Sequence, residues 1–227
     1  MRYKNIREGR FVSRPNRFIA RVEIDGQEEI CHVKNTGRCR ELLVPGASVF
    51  LEKSDKKERK TAYDLIAVRK GDRLINMDSQ IPNRVVEEWL RNGGLFGEGA
   101  YIRPETKYGT SRFDLYIEQG ERKIFMEVKG VTLEEEGIVR FPDAPTERGI
   151  KHIKELCQCI KDGYEAYIMF VIQMKDVRYF EPNKKTQEAF ARALLEAEQA
   201  GVHILAYDCF VEPDSIFLGE AVEVQLI

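Results

Sequence analysis

In the stretch SRFDLYIEQGERKIFMEVKG, residues 111–130, three side chains have types and spacing suited to metal-assisted chemistry on a phosphodiester: Asp114, Glu127 and Lys129. Gly120 suits the first central position of a two-residue type II′ turn formed with Glu121. With that turn, one face of the hairpin pairs Phe113 with Val128, Leu115 with Met126 and Ile117 with Ile124, and it is wholly apolar. The other face pairs Arg112 with Lys129, Asp114 with Glu127, Tyr116 with Phe125 and Glu118 with Lys123. The alternation holds along both strands, and a one-residue slip would turn every apolar side chain outward.

That register sets like charges opposite one another. Directly opposed residues in a sheet hold their Cβ atoms about 5 Å apart, a separation at which like charges destabilise the pair. A divalent cation between Asp114 and Glu127 would convert the repulsion into ligation. Mg²⁺ is held by one or two carboxylates together with water and substrate phosphate oxygens, and Mn²⁺ accepts similar oxygen ligands. Lys129 lies two residues beyond Glu127, on the same side of the strand, where it could stabilise a pentavalent phosphorane or help deprotonate a metal-bound water. The bland alternative is a solvated polar face with mixed charges. Glu-x-Lys alone is a frequent tripeptide; the opposed Asp, the flanking apolar face and a helix that follows make the set more specific.

The elements around this hairpin fall into two groups. Over residues 1–80 the sequence reads as short strands: Phe18 to Ile24 alternates and ends at Asp25-Gly26, a hairpin signal, and Ile30–Val33, Val49–Leu51, Tyr63–Val68 and Leu74-Ile75 supply others. About five short strands with one helical turn near Arg40–Leu43 suit an OB-like β-barrel, a fold that often binds nucleic acid through basic grooves. Over residues 81–227 helices and strands mix: a helix capped by Asn83 and carrying Val85, Val86, Trp89 and Leu90, strands near 101–107, 112–118 and 123–129, and a helix over 147–161 with Ile150, Ile153, Leu156, Cys157 and Ile160 as its stripe. A strand over 165–173, a helix over 186–200 and a strand at 203–207 complete an α-β-β-β-α-β order with α-β appended. The fold class is α/β (α+β).

Bulk properties agree with a globular chain: 43% hydrophobic and 33% charged residues, with no apolar run near the roughly 18 residues that span a bilayer. Five irregularly spaced cysteines form no zinc pattern and read as reduced thiols, and the charged start lacks a secretory h-region, so a cytoplasmic location is expected. Residues 1–79 carry 18 Lys+Arg against 12 Asp+Glu and the remainder 18 against 26. The first part is therefore basic and the second acidic, a division that suits phosphate attraction in one and metal ligation in the other.

The site and the element order resemble the PD-(D/E)xK nuclease superfamily, with Asp114 on one strand and Glu127-Val128-Lys129 on the next. Many members add a Glu from the first helix; on the helical wheel Glu87 and Glu88 are equally placed. A longer set of motifs stands in order along the chain: Asn35-Thr36-Gly37, Pro82-Asn83, Tyr108-Gly109-x-Ser111-Arg112-x-Asp114, Glu127-Val128-Lys129-x-Val131-Thr132-Leu133, Phe141-Pro142-Asp143-Ala144-x-Thr146-x-Arg148-Gly149-x-Lys151-His152 and Ala206-Tyr207-x-Cys209. As a set it is similar to the sugar fermentation stimulation protein A family over almost the whole chain. It departs at Val33-Lys34 and Arg38-Cys39, where other members carry Cys-Pro and Ser-Met.

The resemblance implies an OB-like domain (1–80), a restriction-endonuclease-like domain (81–227), DNA binding with little sequence preference, a regulatory link to sugar use, and Glu88 rather than Glu87 as the helix acid. The expected catalytic set is Asp114, Glu127, Lys129 and Glu88, with Mg²⁺ or Mn²⁺ on Asp114 and Glu127. The expected nucleic-acid contacts are Asn35, Thr36, Gly37, Arg38, Arg112, Arg148 and Lys151. Asn35–Arg38 reads equally as a backbone phosphate cradle and as a tight turn. Arg148, Lys151 and His152 fall opposite the apolar stripe near a helix N-terminus, which favours anions. The partner is DNA, with RNA and single strands open. The rival reading is a DNA-binding regulator without catalysis. Exposed edge strands offer a route to a homodimer.

Overall fold

The computed structural model describes residues 1–35, 37–55 and 58–226. Six strands form the N-terminal barrel: β1 (Ile6–Ser13), β2 (Ile19–Ile24), β3 (Gln27–Val33), β4 (Ser48–Lys53), β5 (Tyr63–Lys70) and β6 (Arg73–Asn76). They run in the order β3-β2-β1-β4-β5-β6, and a parallel pairing of β3 with β5 closes the barrel. Asp25 and Gly26 both have positive φ (51° and 77°), as a type I′ turn requires, and Ile24 pairs with Gln27 across it. At the expected turn near residue 40 the Cys39 carbonyl accepts from the Leu42 N–H at 3.3 Å and the Leu43 N–H at 3.0 Å. β1 escapes pattern reading because only Gly9 and Phe11 of its eight residues are buried.

The remaining elements are α1 (Ile81–Arg91), β7 (Tyr101–Tyr108), β8 (Ser111–Gln119), β9 (Arg122–Val131), β10 (Leu133–Glu135), β11 (Ile138–Phe141), α2 (Glu147–Lys161), β12 (Glu165–Ile172), β13 (Tyr179–Pro182), α3 (Lys184–Gln199), β14 (His203–Glu212) and β15 (Ser215–Ala221). The main sheet has the order β15-β14-β12-β9-β8-β7. β7, β8 and β9 are antiparallel, and β12 lies parallel to both β9 and β14. β12 is buried on both faces, as a central parallel strand must be, and reads as the continuous apolar run AYIMFVI. α2 and α3 cover one face of the sheet; α1 and the outer wall of the barrel (Phe50, Ile66, Ala67) cover the other. β10, β11 and β13 form a small separate sheet from strands too short to give a periodic signal.

The α1 start differs from expectation. The helix begins at Ile81 with Pro82 in its first turn, where the missing N–H costs nothing, and Gln80 stands at the cap without a side-chain bond. Asn83 is therefore inside the helix and its amide is free for another partner.

The barrel is tied to the sheet by buried polar contacts. Gln173, just past β12, is 2% exposed and donates from Nε2 to the carbonyls of Asn76 (3.2 Å) and Asp78 (3.1 Å) and to Asn76 Oδ1 (3.0 Å). Glu134, also buried, receives Lys70 at 2.7 Å and Arg73 at 2.9 Å. The Gln173 side chain is the structural group its place at the end of β12 suggests. Leucine at this position removes three buried hydrogen bonds between the barrel and the sheet, although Asn76 Oδ1 still accepts from the Asp78 N–H and the Asp78 carbonyl from the Ile81 N–H. Gln173→Leu is expected to lower stability by about 2–4 kcal/mol. Urea unfolding at pH 7 measures this, and a change below about 0.5 kcal/mol would contradict the assigned role.

Candidate active site

The hairpin register holds from Gln119↔Arg122 to Leu115↔Met126, with Gly120 at φ 61° in the turn. Regular pairing stops short of Asp114. Instead, the Val128 backbone N–H donates to Asp114 Oδ2 at 2.8 Å, so the carboxylate takes the place of a strand carbonyl. The neighbouring strand is irregular at the same level: Glu105 has a φ of 51° and drops out of the β7–β8 ladder between Pro104↔Leu115 and Thr106↔Phe113. As a result Phe113 and Leu115 do not share a face. Phe113 packs under α2 with Phe125 and His152, whereas Leu115 joins the core beneath α1. This corrects the uninterrupted apolar face drawn from alternation, because a local break in the strand resets which side each residue takes.

Asp114 is half-buried and doubly held: Oδ1 accepts from Asn83 Nδ2 at 2.7 Å and Oδ2 from Val128. Glu127 is 2% exposed. Its Oε1 accepts from Lys129 Nζ and from His152 Nδ1, the latter at 2.5 Å. Its Oε2 is buried and has no partner. Burial and the adjacent Glu127 charge push the Asp114 carboxyl up to about 6. Burial also opposes the Glu127 charge, but the bonds from His152 and Lys129 outweigh it and hold that carboxyl below its ordinary value. The two groups thus behave as an asymmetric pair, with Glu127 ionised and Asp114 carrying most of the repulsion.

These residues fit a divalent cation. A buried carboxylate oxygen without a donor is costly unless something positive meets it, and the Asp114 charge beside it is destabilised for want of the same thing. Among the described residues, no three His, Cys, Asp or Glu side chains gather into a complete metal cage. An ion here would draw its other ligands from water and phosphate oxygens, as Mg²⁺ commonly does.

The other expected site residues are distributed as follows. Glu88 is directed away, in an ion pair with the Met1 ammonium at 2.7 Å, and Glu87 pairs with Arg91 one turn along α1 at the same distance. The α1 residue that touches the site is Asn83. Arg112, Arg148 and Lys151 come together, lining with His152 a cavity of about 500 Å³. His152 itself is 3% exposed, not on the outer face of α2, because the first turns of the helix lie over the sheet and bring Gly149 and His152 inward. The apolar stripe could not reveal this, since the polar ring is buried by bonding to Glu127.

The Asn35–Arg38 loop has Thr36 outside the described residues. Its Gly37 N–H donates to Asn35 Oδ1 (2.7 Å) and its Arg38 N–H to Asp143 Oδ2 (3.1 Å), so neither is free for a phosphate. Arg14 braces it with four bonds to the carbonyls of Arg17, Asn35, Gly37 and Arg38. The Arg38 side chain remains exposed and, with Arg14, Arg17 and Arg40, lines a cavity of about 430 Å³. Gly37 and Asp143 also line a smaller cavity of about 170 Å³ that reaches Gly130, the residue after Lys129. In the charged segment that follows β4, Arg59 binds Asp64 at 2.5 Å. Glu134 is committed to Lys70 and Arg73.

Residues 12–77 match the family described as "SfsA N-terminal OB domain" and residues 80–215 the "Sugar fermentation stimulation protein RE domain". The chain is 64% identical over 227 residues to a sugar fermentation stimulation protein homolog of Desulfitobacterium hafniense, covering 100% of this chain and 99% of that relative. A homolog of Clostridium beijerinckii is 59% identical over 226 residues, covering 100% of each. The solved structure of Pyrococcus furiosus SfsA in complex with Ca²⁺ superposes with a TM-score of 0.89 at 31% identity, covering 99% of this chain and 98% of that one. With both halves of the chain matched, and relatives aligned from end to end, the chain belongs to the sugar fermentation stimulation protein family.

Proposed function

We propose that the chain is a divalent-metal-dependent nuclease that binds DNA and hydrolyses its phosphodiester bonds. The observation that carries this reading is the buried, unpartnered Glu127 Oε2 beside Asp114. The Ca²⁺ complex of the Pyrococcus furiosus relative, and the RE-domain match, support it. Asp114 and Glu127 would hold Mg²⁺ or Mn²⁺, which when bound supplies Lewis acidity toward a phosphate oxygen and lowers the pKa of a coordinated water. Asn83 and the Val128 N–H orient Asp114, and His152 and Lys129 orient Glu127. Lys129 contributes a positive charge next to the reacting phosphate. Arg112, Arg148 and Lys151 on one side, and Arg17, Arg38 and Arg40 on the other, attract the backbone of DNA.

A second reading, a DNA-binding regulator of sugar metabolism without cleavage, is favoured by one feature: Lys129 is already engaged by Glu127. Glu88, expected to assist, stands apart at Met1, so replacing it with Gln is expected to leave cleavage within about threefold of wild type. The two readings separate on purified protein incubated with DNA or RNA and Mg²⁺, Mn²⁺ or EDTA. Asp114→Asn and Lys129→Ala are each expected to reduce metal-dependent cleavage by about two to three orders of magnitude. Salt-sensitive binding with no product in any ion would establish the second reading.

The raised Asp114 carboxyl also predicts a pH signature without metal. Its folded value, about 6, exceeds the free value of 3.8, so the folded chain holds that proton more tightly than the unfolded one. The associated stability is present below the free value and lost as pH rises through about 6. Asp114→Asn removes the charge, and a flip of the Asn83 amide preserves both hydrogen bonds. In EDTA the variant is therefore expected to melt higher than wild type at pH 8, with the gain shrinking toward pH 5. A gain independent of pH would contradict the buried-charge account.

For DNA binding, replacing Arg17, Arg38 and Arg40 together by Gln is expected to lower the salt slope of binding by about 2–3. Fluorescence anisotropy over a salt series measures it. An unchanged slope would remove this cleft from the binding surface.

A further inference from the structure

The two oxygens of Glu127 are treated in opposite ways by their surroundings. Oε1 accepts from both Lys129 Nζ and His152 Nδ1, while Oε2, equally buried, accepts from nothing. A carboxylate turns easily about its last bond, because that torsion has broad minima. A flexible lysine alone would let the group swing until both oxygens shared the ammonium. The imidazole is not flexible in this way. His152 is 3% exposed, its ring lies 6.0 Å from that of Phe113 in an edge arrangement, and it rises from the second turn of α2. Thr146 Oγ1 fixes the start of that helix by accepting from the Gly149 N–H at 3.0 Å. Gly149 permits close packing, since a Cβ there would lie 2.8 Å from Thr146 Cγ2 and 3.1 Å from Phe190 Cε2.

The partners of the ring also assign its tautomer. A carboxylate can only accept, so the hydrogen lies on Nδ1. On the far side Arg148 Nε, which can only donate, meets Nε2 at 3.4 Å, so Nε2 accepts. The chain Arg148–His152–Glu127 thus runs from the cavity lined by Arg112, Arg148 and Lys151 to the buried carboxylate with every hydrogen pointing inward.

We propose that His152 is a positioning residue which, by donating to Oε1, fixes the rotation of the Glu127 carboxylate and keeps Oε2 open for a divalent cation. This rests on the metal reading of the site. It extends that reading by giving the asymmetry of Glu127 a cause outside the Asp-Glu-Lys set. The substitutions that test it follow from side-chain geometry. In His152→Asn the amide nitrogen falls where Nδ1 now sits and can still donate to Oε1. In His152→Gln the amide lies near Nε2, closer in size to histidine but beyond reach of the Glu127 bond.

Titration of Mn²⁺ into the full chain by calorimetry, with Tm in EDTA recorded for each variant, tests the assignment. The His152→Asn variant is expected to bind Mn²⁺ within about threefold of wild type and His152→Gln at least about tenfold more weakly. If His152 merely fills space, the order reverses, and a His152→Gln variant that binds as tightly as wild type overturns the proposal. Wild-type protein that binds no Mn²⁺ overturns both this proposal and the metal site. Nitrogen NMR adds a readout that does not depend on metal: of the three histidines, His152 and also His32, whose Nδ1 meets Asp64 Oδ1 at 3.2 Å, are expected in the Nδ1–H form, and comparison with a His32→Gln variant assigns the His152 signal. Absence of that form at His152 overturns the assignment as well.

Discussion

Two carboxylates on neighbouring strands, withdrawn from water and close enough to raise one another's free energy, are the constraint around which this site is organised. An isolated buried charge would protonate or drive its surroundings to rearrange. Here the cost is divided unevenly. Lys129 and His152 keep Glu127 ionised, while burial and the Glu127 charge push Asp114 up to about 6 against the Val128 N–H, the Lys129 charge and the Asn83 amide. Such an arrangement contributes little to folding in the absence of a cation. On the proposed reading it is a site whose favourable state is reached on ligation, held meanwhile by well-packed surroundings.

Those surroundings are the two covered faces of one sheet. α2 supplies His152 from one side and α1 supplies Asn83 from the other, so the central strands are gripped between helices that each lend one polar group to the pair. The barrel takes part through Gln173 and Asp143. Gln173 joins the end of β12 to the residues after β6, and Asp143 accepts from the Arg38 N–H in the barrel's loop. The basic cleft of the barrel and the candidate site are consequently joined through these hydrogen bonds. Gly130 and Gln173 lie together at the junction, where a Cβ on Gly130 would stand 2.5 Å from Gln173 Oε1 and 2.8 Å from Pro82 Cγ.

The hairpin, its turn and the pairing around Leu115–Met126 were legible because strand alternation and a turn glycine report the same register. Asp114, Glu127 and Lys129 were singled out by extending that register beyond Leu115–Met126, where the ladder itself stops. What escaped was set by interactions without periodicity. The break beside Asp114 depends on a carboxylate replacing a backbone acceptor, which alternation cannot anticipate. Asn83 looked like a helix cap because Asn is favoured there, yet Pro82 serves equally well in a first turn and moved the start upstream. His152 looked solvent-facing on a helical wheel because a wheel sorts by polarity, and a buried polar residue with a bonded partner defeats that sorting. β1 and the three-stranded sheet carry too few buried apolar residues to announce themselves.

The central claim, that Asp114 and the free oxygen of Glu127 await a cation, is tested most directly by crystals grown with Mn²⁺ and examined by anomalous scattering. The account predicts one strong peak within about 2.0–2.3 Å of both Asp114 and Glu127 Oε2, with water filling the remaining positions. Density with no such peak, or Mn²⁺ bound only at other residues, would contradict it.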